Sequence, residues 1–379
     1  MTSSTIDDAT PADDTFDTAP LDTVSPDTAP LDAALGALQA TAFSYGPGYA
    51  NHGPMAAEAL EHQGRPADIE TFIAAYAPML VEKEPTAVAM DDWVGFVRRE
   101  VARLAPDAAA LAGHGLLRLA HAVRAVERAD TPVRRADLAE AVDYWSAGRG
   151  LAGATPSGRR SPAEAVTLIP RLRPTDTAGM LTRTLALAAA DDEVQAVLAS
   201  VAPPDDHQNF LDTLALASVD RYLANGDERS FVFIHGVTVP TMGSVLLPHL
   251  DRDGRNALCA ALAGFVFYAV AGFDTEPERD GSTVEGPIDV TAPGVVDALA
   301  ALAGATLDDH TIKFTDACLT LARRTGAREP LVAAAVRVAA TSEAGTSVFD
   351  AIGGDGGADP RSDPEADTEV RPLRRRYPI

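Results

Sequence analysis

The sequence predicts an all-α protein built around a single multi-helix domain. Alanine and leucine, which favour helices, are abundant, aromatic residues make up only 6% of the chain, and runs of β-branched residues are few. One segment, GPMAAEALEHQG, also begins near a proline and ends at a glycine, as helices do. One stretch is ambiguous, because the short apolar run SFVFIHGVTV at 230–239 fits a helix or a strand.

The composition separates a folded body at 33–351 from two tails. Residues 1–32 are rich in Thr, Asp, Pro and Ala and contain DTAPLD twice, and residues 352–379 are acidic with a basic tip. Such segments have too few apolar residues to form a core, so we expect both tails to be disordered. The net charge of −24 argues against nucleic-acid and anionic-membrane partners, which attract basic surfaces.

The predicted helices follow one another through the body, with a long gap between the fifth, which ends at Gly148, and the sixth, which begins at Asp206. In the second, Pro54 lies near the start and Gly64 at the end. The remaining signals are apolar periodicity and runs of strong helix formers. In order, the segments are DAALGALQA, GPMAAEALEHQG, DDWVGFVRREVARLAP, LAGHGLLRLAHAVRAVERAD, RADLAEAVDYWSAG, DHQNFLDTLALASVDRYLANGD, TMGSVLLPHLD, ALCAALAGFVFYAVAGF, GVVDALAALAGATLDDHTIKFTDACLTLARRTG and EPLVAAAVRVAATS.

Cysteine usage and the N-terminus predict a cytoplasmic protein. Cys259 and Cys318 lie in apolar segments, which indicates free buried thiols in a reducing compartment. The N-terminus is acidic and has no secretory signal pattern. Residues 257–273 carry no charge, but the segment is short and only weakly hydrophobic, so we interpret it as a buried core helix rather than a membrane span.

No nucleotide-binding motif is supported. GRGLAG at 148–153 fits G-x-G-x-x-G, but it follows a helix-like segment and continues into a loop, whereas the dinucleotide motif needs a strand before it and a helix after it.

Lys313 is one of only two lysines, the other being Lys83, in a chain whose basic residues are otherwise arginine. It stands three residues after His310, so the two side chains are neighbours on one helical face. Unlike arginine, a buried lysine can lose its proton, and the neutral amine can ligate a metal or take up CO2 as a carbamate. A His/carboxylate pair would result, comparable to the Glu-x-x-His pairs of iron-binding bundles. The alternative is a lysine that reaches solvent or pairs with an aspartate.

Other histidines stand in apolar surroundings. His52 precedes a helix that Pro54 starts, where the helix dipole keeps imidazole neutral, although a turn histidine would look the same. His114 and His121 share a helical face with Arg118, which could equally be a solvated polar face. Their α-carbons would be about 10.5 Å apart, which favours one ligand and one pocket residue. His235 is flanked by large apolar residues and could be a ligand or a hydrogen-bonded core histidine.

Several of these strings resemble the questin oxidase-like family across about residues 40–325. They are NHGPMAAEALEHQG, HGLLRLAHAVRAV, DYWSA, FVFIHGVTVPTMGSVLLPHLD and DDHTIKFTDACL, of which HGVT and HxxK are the most specific. The family is all-helical, and its named activity is Baeyer–Villiger-type oxidative ring opening of an anthraquinone in aromatic polyketide pathways. Non-haem iron bound by histidines and a modified lysine has been linked to it.

The resemblance implies a metal site and roles for particular residues. As metal ligands it points to His52, His121, His235, His310 and Lys313. His114 becomes a pocket residue with a catalytic role beside Lys313. Where fungal members often carry a second histidine after the first, this chain has Met55 and Ala56.

The resemblance therefore implies an oxygenase of polycyclic aromatic polyketides that uses Fe(II) and O2. If one oxygen atom is inserted, two electrons must come from elsewhere, and NADPH is the implied external donor. A hydroquinone substrate would supply them itself. One alternative is a non-catalytic helical protein that binds a hydrophobic aromatic metabolite. Another is a hydrolase with a carbamylated lysine, which would need aspartates as ligands, whereas helix capping accounts for Asp308 and Asp309.

Overall fold

The structure is a computed structural model, and it describes residues 28–46, 49–85, 90–151, 153–172, 181–225, 227–274 and 294–343. These ranges contain fifteen α-helices and one two-stranded sheet, which confirms the predicted all-α class. The helices are α1 (Ala29–Leu38), α2 (Gly53–His62), α3 (Ile69–Tyr76), α4 (Trp93–Leu104), α5 (His114–Arg128), α6 (Pro132–Ser146), α7 (Pro162–Val166), α8 (Leu181–Ala189), α9 (Asp192–Ala199), α10 (His207–Ala224), α11 (Asp227–Leu246), α12 (Arg252–Phe273), α13 (Val295–Ala305), α14 (Asp309–Thr325) and α15 (Arg328–Glu343). Strands β1 (Ser44–Tyr45) and β2 (Tyr49–Ala50) pair antiparallel just before α2.

The ambiguous run at 230–239 is helical and lies within α11. A strand there would need a neighbouring strand, and the helix packs instead against α5, α10, α12 and α14. Gly236 allows α10 to approach closely, since a Cβ at that position would lie 2.8 Å from the Ser218 hydroxyl oxygen. Burial among helices therefore outweighs the strand preference of Val, Ile and Phe.

The first helix begins earlier than the predicted body. Helix α1 starts at Ala29, with Pro30 in its first turn and Leu31 fully buried. Leu31 thus belongs to the core, although the sequence placed it in the N-terminal tail. The remainder of the predicted tails, and residues 344–351 of the predicted body, lie outside the described residues.

The uncharged segment 257–273 lies in α12, which is long and apolar enough to cross a membrane, but 78% of its most apolar window is buried inside the domain. It is therefore a core helix, as predicted. Cys259 and Cys318 are free and buried, also as predicted.

Four helices form a closed cycle of contacts at the centre of the domain. Helix α2 packs against α5 and α14, and α11 packs against the same two helices from the other side. The ends of α2, α5 and α14 that meet here are their N-termini, while α11 contributes its middle. This cycle places one histidine from each helix at the same point.

Candidate metal centre

Four imidazoles, from His52, His114, His235 and His310, form a closed ring of contacts inside the helix cycle. The His52 ring stacks on His114 at 4.8 Å between centroids and meets His310 edge-on at 4.7 Å. His235 completes the ring, at 4.8 Å from His114 and 5.4 Å from His310. None of the four residues is more than 6% exposed.

Three of these histidines lie at helix N-termini. His52 is the N-cap of α2, His114 is the first residue of α5, and His310 is the second residue of α14. The positive end of each helix dipole disfavours imidazolium there. Burial lowers the pKa of His52 to about 3, with Lys313 adding to the shift against the opposing effect of Asp309. Burial, together with the neighbouring histidines and Lys313, also holds the pKa of His114 well below its usual value.

Asp309 joins two of the rings. Its Oδ1 atom lies 2.9 Å from Nδ1 of His52 and 2.7 Å from Nδ1 of His310. Burial alone would raise the pKa of Asp309, but the two histidines outweigh burial and hold that pKa well below its usual value. Helix capping therefore explains Asp308, whose side chain accepts from the Thr311 amide, but it does not explain Asp309 as the sequence suggested.

A strained turn fixes the third ring. Leu111 and Ala112 have φ values of 53° and 55°, in the left-handed region that side chains disfavour, and Gly113 follows with φ of 82°. This turn brings the Leu111 carbonyl to 2.6 Å from His114 Nδ1. A carbonyl can only accept, so Nδ1 of His114 carries the proton and its Nε2 has a lone pair.

Two parts of the donor set lie at separations that suit a metal ion. Nε2 of His114 and Nε2 of His235 lie 3.1 Å apart, and two nitrogens bound to one ion at about 2.1 Å are separated by roughly 3.0–3.4 Å in octahedral or tetrahedral geometry. Nε2 of His52 is buried without a hydrogen-bond partner. Among the described residues, the group of three side chains whose ligand atoms all lie within 4.8 Å of one another is His52, Asp309 and His310, so the Asp309 carboxylate belongs to this set of donors. A buried unpaired nitrogen costs free energy unless something binds it, and a metal ion would do so.

Lys313 lies one turn beyond His310 on α14 and is only 4% exposed. Among the described residues its amine forms no hydrogen bond or ion pair, and its low exposure argues against a lysine that reaches solvent. Burial lowers the pKa of Lys313 to about 8, against the opposing effect of Asp309 and Asp308. The amine is therefore partly neutral near physiological pH.

His121 lies apart from the four rings, in a buried ionic network between α2, α5 and α14. Its Nδ1 is 2.6 Å from Glu58 Oε2, and Arg124 donates to both oxygens of Glu58 at 2.7 Å. Arg124 also donates to Asp316, which lies 2.6 Å from His62 Nδ1. Burial lowers the pKa of His121, although Glu58 opposes the shift.

The structure thus brings together five of the six predicted site residues. His114 lies against the rings of His52 and His235, in the set of residues where the resemblance had placed His121. The face of α5 that carries both histidines is buried rather than solvated, because its Arg118 donates to Asp137 at 2.5 Å.

Sequence reasoning missed the charged partners of the histidines. They are Glu58, Arg124, Asp309 and Asp316. One signal was available for two of them, since Asp309 and Asp316 share a face of α14 with His310 and Lys313 at helical spacing.

No protein-family model matches this chain, and no curated protein sequence matches it.

Proposed function

We propose that this protein is a non-haem metal-dependent oxidoreductase that uses O2 to open a ring of a polycyclic aromatic polyketide such as an anthraquinone. The observation that carries the proposal is the closed ring of four buried imidazoles with a lysine of lowered pKa beside it. Perturbed titratable groups gathered at one buried point are typical of functional sites.

In this proposal the ion would be held by four imidazoles, those of His52, His114, His235 and His310. Lys313 would complete its coordination. Neutral imidazoles suit iron and other divalent metals and add no charge to the site. Iron(II) would supply the electron-transfer chemistry that activates dioxygen for attack on an aromatic ring.

The chain's own groups would prepare the site. With a pKa of about 8, roughly a quarter of the Lys313 amine is neutral at pH 7.5. That fraction can add to CO2, which forms a carbamate and releases one proton. The resulting carboxylate would face the imidazoles as a further ligand. Burial of all five side chains keeps bulk water from the reacting centre.

The electron requirement depends on the reaction. Insertion of one oxygen atom as an ester consumes O2, two electrons and two protons and forms water, so it needs NADPH as an external donor or a hydroquinone as the substrate. Insertion of both atoms needs no added electrons.

The first experiment is elemental analysis of the full chain purified without added metal, followed by oxygen uptake with an anthraquinone and with its hydroquinone, each with and without NADPH. About one iron per chain and uptake that depends on the substrate would support the proposal. Failure to bind Fe(II) under anaerobic reconstitution would refute it. An aromatic ligand that still bound such a protein would favour the non-catalytic binding function.

A further inference from the structure

One carboxylate oxygen serves two of the four imidazoles. Oδ1 of Asp309 lies at hydrogen-bond distance from Nδ1 of both His52 and His310. An ionised carboxylate only accepts hydrogen bonds. Both Nδ1 atoms must then carry their protons, and in a neutral imidazole the lone pair is left on Nε2.

We infer that Asp309 is a positioning residue: through Oδ1 it holds His52 and His310 in the same tautomer and presents their Nε2 lone pairs to a metal ion. The part of this inference that concerns metal rests on the proposed function, whereas the tautomers do not. The Leu111 carbonyl fixes the same tautomer in His114, because it accepts a hydrogen bond from Nδ1 of that ring. Three rings from three helices therefore carry their protons on the same type of nitrogen.

The competing possibility is that Asp309 is itself a ligand, since its carboxylate belongs to the group of three ligand atoms that lie within 4.8 Å of one another. Coordination by Asp309 together with both Nδ1 atoms would leave Nε2 of His52 buried and unpaired. Coordination through Nε2 satisfies that atom and keeps both hydrogen bonds to Asp309. The second arrangement leaves fewer buried polar atoms without partners, and it matches the way carboxylates orient metal-binding histidines.

The tautomers can be measured without metal. In the metal-free full chain labelled with ¹⁵N-histidine, NMR should show protonated Nδ1 and unprotonated Nε2 for His52 and His310. The signals are assigned by their loss in His52→Gln and His310→Gln. Protonated Nε2 at either ring in the wild-type protein would overturn the inference, whatever the metal affinity.

Two substitutions of Asp309 separate positioning from coordination. Asp309→Ala removes the acceptor, and we expect Fe(II), added anaerobically against a competing chelator, to bind about 10–100-fold more weakly. In Asp309→Asn the amide oxygen can still accept from both rings, so the tautomers should persist and most of the affinity should return. Equal losses in the two variants would show that Asp309 coordinates the ion and would overturn the inference.

Asp308→Asn is the matched control, because it also removes a carboxylate that acts on Lys313, while asparagine caps a helix as well as aspartate does and the Asp308 side chain accepts from the Thr311 amide rather than from a ring. Its affinity should equal that of the wild type. If the wild-type chain shows the expected tautomers but binds no metal, the positioning by Asp309 stands and the proposed function fails.

Discussion

Nδ1 of His121 lies 2.6 Å from the Glu58 carboxylate, whereas His114, seven residues earlier on the same helix, has other neighbours. The two histidines of α5 therefore belong to different groups of side chains. His114 contacts the imidazoles of His52 and His235, whereas His121 belongs to an ionic network.

The two α5 histidines should accordingly differ in their effect on metal binding. We expect His114→Gln to weaken Fe(II) binding by at least about tenfold, because it removes a nitrogen from the ring of four. His121→Gln should leave the affinity within about twofold, since the hydrogen-bond partner of His121 is Glu58 and not one of the four rings. Chelator competition on both variants measures this. Loss of binding in His121→Gln with full binding in His114→Gln would restore the ligand set that the sequence suggested.

Replacing Lys313 by arginine tests whether its neutral form is needed. Arginine keeps the charge and stays protonated, so it cannot form a carbamate. We expect Lys313→Arg to lose the proposed oxygenase activity and to bind iron at least about tenfold more weakly. Lys83→Arg is the natural control, because Lys83 pairs with Glu140 and is the only other lysine. Iron content and oxygen uptake are the readouts, and full activity in Lys313→Arg would remove any role for the amine.

The buried amine should also lower the stability of the metal-free protein in a pH-dependent way. The folded pKa of about 8 lies below the ordinary 10.5, so the folded state binds fewer protons than the unfolded state between these values. The resulting loss in the free energy of unfolding is fully present below about pH 8 and disappears as the pH rises to about 10.5. A shift of this size corresponds to on the order of 3 kcal/mol.

Lys313→Met should therefore stabilise the metal-free protein at pH 7 while abolishing function. Urea unfolding at pH 7.0 and at pH 9.5 measures the free energy of unfolding of both proteins. The advantage of the variant should shrink at the higher pH. An advantage that stayed constant between the two values would mean that the amine is not desolvated.

The ionic network should be a major source of stability. Arg124 lies between Glu58 and Asp316. Burial would raise the pKa of Glu58, but Arg124 and His121 outweigh this effect and lower that pKa to about 2. Arg124→Met would leave two buried carboxylates without their cation, and we expect a loss of about 3–5 kcal/mol in the free energy of unfolding. Arg135→Met, at the surface pair with Asp130, should have little effect. Similar losses in the two variants would contradict this account.

The sequence predicts most of the longer helices because their signals are local, whereas the short helices α3, α7, α8 and α9 were not among the predicted segments. Pro54 and the residues after it mark the start of α2, and Asp308 marks the start of α14. The run at 230–239 was ambiguous because its Val, Ile and Phe residues suit either element, and only packing against four helices decides between them.

The site was harder to predict because its contacts are distant in sequence. Asp309 looks like a capping residue until His52, 257 positions earlier, is seen beside it. Arg118 made one face of α5 look solvated, and its buried partner Asp137 lies on another helix. Periodicity identifies faces, but it does not identify which charges pair across them.

The left-handed turn before α5 limits how this cluster could be copied. A designer who grafted four histidines onto the equivalent positions of another helical bundle would obtain the rings without the Leu111 carbonyl. Leu111 and Ala112 each adopt a conformation that costs about 1–2 kcal/mol, so an idealised loop would not reproduce it. The graft would need this three-residue turn, and a host stable enough to carry its strain.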